Sequence, residues 1–283
     1  MNLRAAFATP ASTVLSCRPV WIAPIGWLAL HAAALWPHGV WAAKRAIDGS
    51  DDPLGIAAAL MLAWLVWRHA SQLRPHPRLA WLVVAASTTV LATAASALTT
   101  PLVGAMLAAL ALAAALAAWL PAGVARLPFA GLAVLAVPLV SSLQFYVGYP
   151  LRVLTAHFSA WGLQAFGIDA ARSGASMLVR GQLVVVDAPC SGVQMAWIAY
   201  FVACGVAALT AQRDAAFVRR LPLVGLLVLA GNTLRNGVLV ALEARPQGLS
   251  AGVHEAIGLA ALLAVCALVV RVMKREDADA HIA

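Results

Sequence analysis

Residues 184–209, VVVDAPCSGVQMAWIAYFVACGVAAL, place a cysteine directly after a proline and in front of a long apolar run. The run after Cys190 approaches the roughly 20 residues with which an α-helix crosses the hydrocarbon core of a bilayer. The stretch therefore predicts a membrane-spanning helix with a thiol at its mouth. The side of the membrane on which this helix begins determines which other side chains can contact the thiol.

The composition of the whole chain is that of an integral membrane protein. Of its 283 residues, 63% are hydrophobic and 11% are charged, and the mean hydropathy is +0.88, whereas soluble domains are nearer half apolar and a quarter charged. The net charge of +8 does not indicate a nucleic-acid partner, because the basic residues lie in short loops and form no stripe. The four cysteines are too far apart to indicate a metal site, and we expect neither a metal nor a cofactor.

The apolar runs predict an all-α polytopic bundle of about eight transmembrane helices in the bilayer. The first run carries Pro24 and His31, and we interpret it as a retained span rather than a cleaved signal peptide. The candidate spans are about 20–36, 54–67, 79–97, 102–120, 128–147, 191–209, 221–242 and 253–270.

The distribution of Lys and Arg between alternate loops predicts the orientation of the bundle. With the N-terminus inside, the inner set has 12 basic residues and the outer set has 6, and the outer set also holds the acidic patch Asp48, Asp51 and Asp52. We therefore expect both termini to be cytoplasmic, in a cell inner (cytoplasmic) membrane. The inner set is Arg4, Arg18, Arg68, Arg74, Arg78, Arg126, Arg213, Arg219, Arg220, Arg271, Lys274 and Arg275, and the outer set is Lys44, Arg45, Arg152, Arg172, Arg180 and Arg245.

The one long loop, about 148–190, is extracytoplasmic in this topology. Within 151–167, apolar residues recur at spacings of three and four, which predicts an amphipathic helix lying in the membrane interface. The segment SMLVR-GQ-LVVVD that follows predicts a short β-hairpin with Gly first in a type II′ turn. Because open strand edges are not tolerated in lipid, the hairpin should lie outside the bilayer or against the helices. The loop leads directly to Cys190.

Three polar side chains of three consecutive spans fall toward this outer face. Cys190 is within a turn of a helix start, where free N–H groups favour a thiolate. Arg235 lies inside an apolar span, which by default marks a functional site, and His254 opens the last span. Each residue also has a purely structural interpretation. The cysteine could fill space in an apolar core, and the arginine could pair with Glu243 or extend its charged end to the membrane surface. The histidine could be a polar residue at the membrane boundary.

The three side chains together fit acyl transfer through a thioester. An imidazole can take the proton of a thiol and return it to a leaving amine, and an arginine can stabilise the oxyanion of a tetrahedral intermediate. The other cysteines beyond the N-terminal segment, Cys204 and Cys266, fall in mid-helix and are interpreted as filler. The sequence contains no HExxH, GxxxxGK or paired-carboxylate pattern that would indicate a metal-dependent, phosphate-binding or carboxylate-based site instead.

Three blocks in order resemble the exosortase/archaeosortase family: APCSGVQ (188–194), GNTLRNG (231–237) with its Asn-x-x-Arg, and HEAIG (254–258) with its His-x3-Gly. On this resemblance we divide the chain into N-terminal transmembrane helices (1–127), an exosortase-like catalytic core (128–270) and a cytoplasmic tail (271–283). The first four spans are too rich in Ala and Leu to carry specificity.

The resemblance implies a membrane cysteine protease or transpeptidase that processes C-terminal sorting signals of exported proteins. Such a signal is a short motif, a transmembrane helix and a basic cluster, with PEP-CTERM as the best-known bacterial form, often associated with exopolysaccharide. Carried over to this chain, it makes Cys190 the nucleophile, His254 the acid and base, and Arg235 the oxyanion stabiliser. Asp187, Ser191 and Asn232 could assist, or Asp187 and Ser191 could cap the helix start.

A transporter or a non-catalytic assembly factor for exopolysaccharide export is the alternative function. In that case Arg235 would bind a charged substrate group. A transporter should show inverted repeats and polar residues near the midplane, but no convincing repeat is present and the polar residues gather at one face. The sequence leaves the oligomeric state open.

Overall fold

The computed structural model describes residues 22–49, 51–244 and 249–274. The predictions made for Cys17, for the basic residues Arg4, Arg18, Arg245 and Arg275, and for most of the tail lie outside the described residues. Within these ranges the chain is a helical membrane bundle with one small antiparallel sheet, as the hydropathy pattern predicts.

The described residues form ten α-helices and three β-strands. The helices are α1 (Ile22–Ala34), α2 (Trp36–Ile47), α3 (Leu54–His69), α4 (Leu79–Leu98), α5 (Pro101–Trp119), α6 (Leu127–Leu135), α7 (Val140–Ala165), α8 (Val193–Leu209), α9 (Asp214–Glu243) and α10 (Ala251–Lys274). The strands are β1 (Ala170–Ser173), β2 (Ser176–Val179) and β3 (Gln182–Val185), between α7 and α8.

The number of membrane-length helices is close to the eight predicted. Six helical segments in the described ranges are long and apolar enough to cross a bilayer, or seven if the bent pair α6–α7 is one span. They include the short second candidate, because α3 and the 3₁₀ turn Ala70–Gln72 that follows it together form a segment of 19 residues. The first candidate, 20–36, corresponds to α1, whose described part has 13 residues, and α2 follows it almost at once.

The predicted fifth span and the predicted amphipathic helix have different bounds in the structure. The run 128–147 is not one straight helix, because the chain breaks between α6 and α7 and the two helices are bent by 94°. Pro138 stands in the break and lacks the N–H that would continue the helix. Conversely, α7 runs through Pro150 to Ala165, so 151–165 is the second half of a long helix and not a separate element.

The polar face of α7 points into the bundle. Thr155 and Ser159 are buried, and Trp161 on the opposite face is 68% exposed. The Ser159 hydroxyl donates to the carbonyl of Thr233 at 3.1 Å, which attaches α7 to α9. Apolar groups outward and polar groups inward is the arrangement expected of a helix that faces lipid rather than water.

The sheet has three strands in the order β1-β2-β3, one more than predicted. Val179 pairs with Gln182, so the hairpin loop is Arg180-Gly181 and not Gly-Gln. Both loop residues have positive φ, 50° and 80°, as a type I′ turn requires, rather than the predicted type II′ turn. Gly181 takes the second loop position. The strand β1 was missed because Arg172 and the serines around it break the apolar pattern.

The bundle has two polar ends. At the site end, which includes Asp52, Gln144, Cys190, Glu243 and His254, the Gln194 side chain donates to the Asp52 carboxylate at 2.7 Å. At the opposite end, the Asp214 carboxylate accepts the backbone N–H groups of Arg126 and Leu127, both at 2.8 Å. Between the ends, α6, α8, α9 and α10 pack around a common apolar core.

Candidate active site

Cys190 lies in a tight turn that precedes α8. Residues Ala188–Cys190 form one turn of 3₁₀ helix in which the Cys190 N–H donates to the Asp187 carbonyl at 2.9 Å. Gly192 then adopts φ +87°, a left-handed conformation that favours glycine, and α8 begins at Val193. The prediction that the thiol stands at the mouth of a helix agrees with this placement.

Helix α7 holds the turn on one side through Gln144. The amide oxygen of Gln144 accepts the Ser191 hydroxyl at 2.7 Å, and its amide nitrogen donates to the Ala188 carbonyl at 3.0 Å. The Ser191 hydroxyl oxygen also accepts the N–H of Val193 at 3.3 Å. Ser191 therefore satisfies one free donor of α8, as suggested by the sequence, whereas the Asp187 side chain makes no capping hydrogen bond.

Helix α9 holds the turn on the other side through two asparagines. The amide nitrogens of Asn232 and Asn236 donate to the Cys190 carbonyl at 3.0 and 3.2 Å. Asn232 also donates to the Thr155 hydroxyl at 3.1 Å, and Asn236 to the Asn232 carbonyl at 2.8 Å. Both asparagines are 2% exposed, so the Cys190 carbonyl is fixed by donors that water cannot replace.

The turn that contains Cys190 and the helix α9 approach each other closely. A Cβ at Gly192 would lie 2.9 Å from the side-chain carbon and nitrogen of the Asn232 amide, which is closer than real Cβ contacts. Glycine is thus required at position 192 both for the backbone conformation and for space. Asn236 is seven residues before Glu243, the last residue of α9. At a rise of 1.5 Å per residue, Cys190, which contacts Asn236, lies about 10 Å from that end of the helix.

Arg235 lies between α9 and α10, next to the thiol. A Cβ at Gly258 would be 3.3 and 3.4 Å from Nε and Nη2 of Arg235, so the glycine leaves room for the guanidinium. The guanidinium is within hydrogen-bonding reach of the Cys190 side chain, and the Asp187 carboxylate also lies near that thiol. Among the described residues Arg235 forms no ion pair with Glu243, the alternative partner, and its buried Nε has no hydrogen-bond partner.

His254 belongs to the first turn of α10, one turn before Gly258. It lines a cavity of about 530 Å³ together with Cys190. The predicted nucleophile and the predicted acid–base group therefore face the same space, and Arg235 stands beside the thiol. The structure brings all three residues to one neighbourhood, formed by the turn before α8 and by α9 and α10.

The cavity is lined by both apolar and acidic side chains. Leu239 and Val240 of α9 form part of the apolar wall, and three carboxylates surround the space: Asp187, Glu243 and Glu255. No group of three or more His, Cys, Asp and Glu within the described ranges has metal-binding geometry. The arrangement supplies a thiol, an imidazole and a nearby guanidinium, which can carry out nucleophilic acyl chemistry.

The other described cysteines do not line this cavity. Cys204 is buried in α8 with its sulfur against Gly131 of α6, where a Cβ would lie 2.6 Å away. Cys266 is partly buried in α10. The interpretation of both residues as packing groups agrees with these positions.

Sequence reasoning missed Gln144, Thr155 and Asn236. All three are polar residues within helices that otherwise read as apolar, which is a signal of function or of buried pairing. The spacing of four between Asn232 and Asn236 puts both amides on one helix face, and it could have indicated a shared partner. Gln144 gave no such hint, because its contacts depend on the bend between α6 and α7.

Comparison with protein families matches the chain to the transmembrane exosortases over residues 41–271. It contains the Cys190, Arg235 and His254 blocks and extends upstream of residue 128 into the Ala- and Leu-rich helices. No curated protein and no solved structure matches the chain. Because the family match covers well over half of the sequence, this chain belongs to the transmembrane exosortase family.

Proposed function

We propose that the protein is an integral-membrane cysteine protease or transpeptidase that cleaves C-terminal sorting signals of exported proteins. Family membership supports the reaction class. The observation that carries the assignment to residues is the cavity that Cys190 and His254 share, with Arg235 next to the thiol. Cys190 is the nucleophile, His254 the acid and base, and Arg235 the stabiliser of developing negative charge.

The reaction has two acyl-transfer steps. The thiol gives its proton to His254 and the sulfur attacks the scissile carbonyl carbon, forming a C–S bond. The tetrahedral intermediate collapses, the C–N bond breaks, and His254 returns the proton to the leaving amine. An amine or water then attacks the thioester, gives a proton to His254, and displaces Cys190 as the thiolate, which takes that proton back.

Arg235 suits charge stabilisation because one of its donors is uncommitted. The buried Nε–H has no hydrogen-bond partner among the described residues, and a buried unpaired donor is costly unless a ligand engages it. An oxyanion that forms beside the Cys190 sulfur would lie near this guanidinium. Donors that meet the charge only as it develops accelerate the chemical step rather than ground-state binding.

The position of the site at one end of the bundle suits a substrate that is itself anchored in the membrane. A sorting signal of motif, helix and basic cluster would place its helix beside the bundle and its motif at the level of Cys190. The excess of basic residues at the opposite end supports a site end that faces away from the cytoplasm. Both termini are then cytoplasmic.

Replacement of Cys190 tests the assignment. A tagged exported protein with such a signal is followed by immunoblot in cells that carry wild-type protein, Cys190→Ala or the matched control Cys266→Ala. We expect the unprocessed form to accumulate only with Cys190→Ala. Normal processing by Cys190→Ala, at an expression level equal to that of the control, contradicts the nucleophile assignment and favours a non-catalytic role.

Thiol labelling tests the orientation. A membrane-impermeant maleimide added to intact cells whose outer barrier has been opened should label Cys190 and should not label the buried Cys204. Cys17 should remain unlabelled if the N-terminus is cytoplasmic. Labelling of Cys190 only after the inner membrane is permeabilised would reverse the proposed topology.

A further inference from the structure

The strand β3 has one side that no other strand pairs with. In an antiparallel ladder, hydrogen-bonded and non-bonded residue pairs alternate. The Val186 N–H donates to the Ala175 carbonyl at 3.0 Å, so the pairs Val184–Met177 and Gln182–Val179 of the register are the other bonded ones. The backbone groups of Leu183 and Val185, which lie between them, therefore point away from β2.

The outer edge of β1 is covered by another element, whereas the outer edge of β3 is open. The β1 side is covered by α7, whose Gln164 amide donates to the Ala170 carbonyl at 2.6 Å. On the β3 side, the described residues contain no hydrogen bond from the backbone of Leu183 or Val185 to another element. Leu183 and Val185 are 70% and 50% exposed.

The open side of β3 leads into the cavity of Cys190. Four consecutive residues, 184–187, line that cavity with the thiol. Val184 and Val185 are the last two residues of β3, and neighbouring residues of a strand point to opposite faces. A space that both of them line therefore reaches the strand edge and does not lie over one face only. The 3₁₀ turn with Cys190 follows immediately.

From this arrangement we infer that β3 is the docking edge for the substrate, which adds to the sheet as an extended strand beside Leu183 and Val185. The inference rests on the proposed function, because it names how the peptide segment ahead of the scissile bond reaches Cys190. Addition of a strand to a sheet edge is a recurrent mode of peptide recognition, in which main-chain hydrogen bonds supply affinity.

The unpaired backbone groups of β3 indicate that the ligand of this edge is a polypeptide. Two N–H donors and two carbonyl acceptors alternate along it, and only a polypeptide backbone offers the complementary alternation at the spacing of a strand. A lipid acyl chain offers no such groups. The edge also continues directly into the turn that contains Cys190, so a peptide paired with Val185 extends toward the thiol without leaving the cavity.

Proline at position 185 tests the main-chain contact. Val185→Pro removes the N–H that faces the open edge but none of the bonds to β2, and proline is tolerated on edge strands. The matched control Val185→Ala also shortens the side chain but keeps the N–H. For a tagged exported reporter processed by the wild-type chain, we expect Val185→Pro to process about threefold to tenfold more slowly than Val185→Ala at limiting reporter. The comparison of the two variants removes whatever the shortened side chain costs by itself.

A proline scan of the reporter gives a second readout that leaves the enzyme unaltered. Residues ahead of the reporter's membrane helix are replaced singly by proline. Strand addition predicts that every second replacement blocks processing, because alternate N–H groups face β3. If Val185→Pro fails to accumulate in the membrane, the proline scan of the reporter by itself tests whether the substrate adds to β3 as a strand.

The outcomes separate the docking edge from the proposed function. A reporter processed equally by Val185→Pro and Val185→Ala, or a scan without alternation, overturns strand addition while dependence on Cys190 stands. A reporter processed normally by Cys190→Ala overturns the proposed function itself. If Val185→Pro only converts a dimer into a monomer and the scan is flat, the edge pairs two copies of this chain and the docking proposal is wrong.

Discussion

The side-chain amide of Asn236 donates a hydrogen bond of 3.2 Å to the main-chain carbonyl of Cys190, across the contact between α9 and the turn that precedes α8. The same carbonyl accepts a second amide, that of Asn232. The position of the candidate nucleophile is thus set by α9, the helix that also carries Arg235.

Asn236→Ala should lower both stability and processing. The change removes two hydrogen bonds and leaves the buried Asn232 carbonyl without that donor, at a cost of about 1–3 kcal/mol. Thermal unfolding in detergent and processing of a tagged substrate measure the two effects. The control Val238→Ala, on an exposed face of α9, should change neither. Equal melting temperatures for the two variants would contradict the role of Asn236.

Gly192→Ala should destabilise the protein, because alanine is strained at φ +87° and its Cβ would meet the Asn232 amide. A left-handed alanine alone costs roughly 1–2 kcal/mol. Gly162→Ala is the matched control: it lies inside α7 with nothing within 4 Å of the added methyl, and alanine is the better helix former by about 1 kcal/mol. The two variants should shift the melting temperature in opposite directions, and a shift of the same sign would refute this account of Gly192.

Arg235→Lys should slow the chemical step while leaving the protein folded. Lysine keeps the charge but loses the planar fork of donors, and removal of an oxyanion donor typically lowers kcat about 100-fold to 1,000-fold. Single-turnover processing separates this loss from weaker binding. Arg152→Lys, over the ring of Tyr149 on α7, serves as the control. A structural arginine would instead show normal turnover in whatever protein remains folded.

His254→Ala should abolish processing, and added imidazole should restore part of it. The cavity that His254 lines with Cys190, about 530 Å³, has room for a free imidazole to act as the missing base. His157→Ala is the comparison, because His157 packs edge-on against Phe158 of α7 and does not line the cavity. Loss of activity without any response to imidazole, in a variant with unchanged melting temperature, would argue against acid–base catalysis by His254.

The sequence predicts the bundle and the neighbourhood of the site for a physical reason. Lipid penalises polar groups strongly, so Cys190, Arg235 and His254 stand out against apolar spans, and loop charges assign them to one end. The structure brings these residues together, while their catalytic roles stay predictions. The family resemblance is confirmed by the match over residues 41–271.

The parts that the sequence did not predict depend on contacts between distant segments. The bend between α6 and α7 follows a proline whose effect on direction no hydropathy pattern encodes, and it is this bend that brings Gln144 to Ser191. The hairpin loop was misplaced by one residue because Arg180 adopts φ 50°, a conformation favoured at glycine rather than arginine. Asn236 was overlooked because its partner is a backbone carbonyl 46 residues away in sequence.

Helix α7 exposes Phe145, Tyr146 and Trp161 around the bundle, yet its inner face holds the turn of Cys190 through Gln144. A helix that is exposed on one side and holds the candidate nucleophile on the other links the position of that thiol to the surroundings of α7. Changes in bilayer thickness or lateral pressure that displace α7 would move the sulfur as well. Turnover measured in one detergent is therefore a property of that medium as much as of the polypeptide.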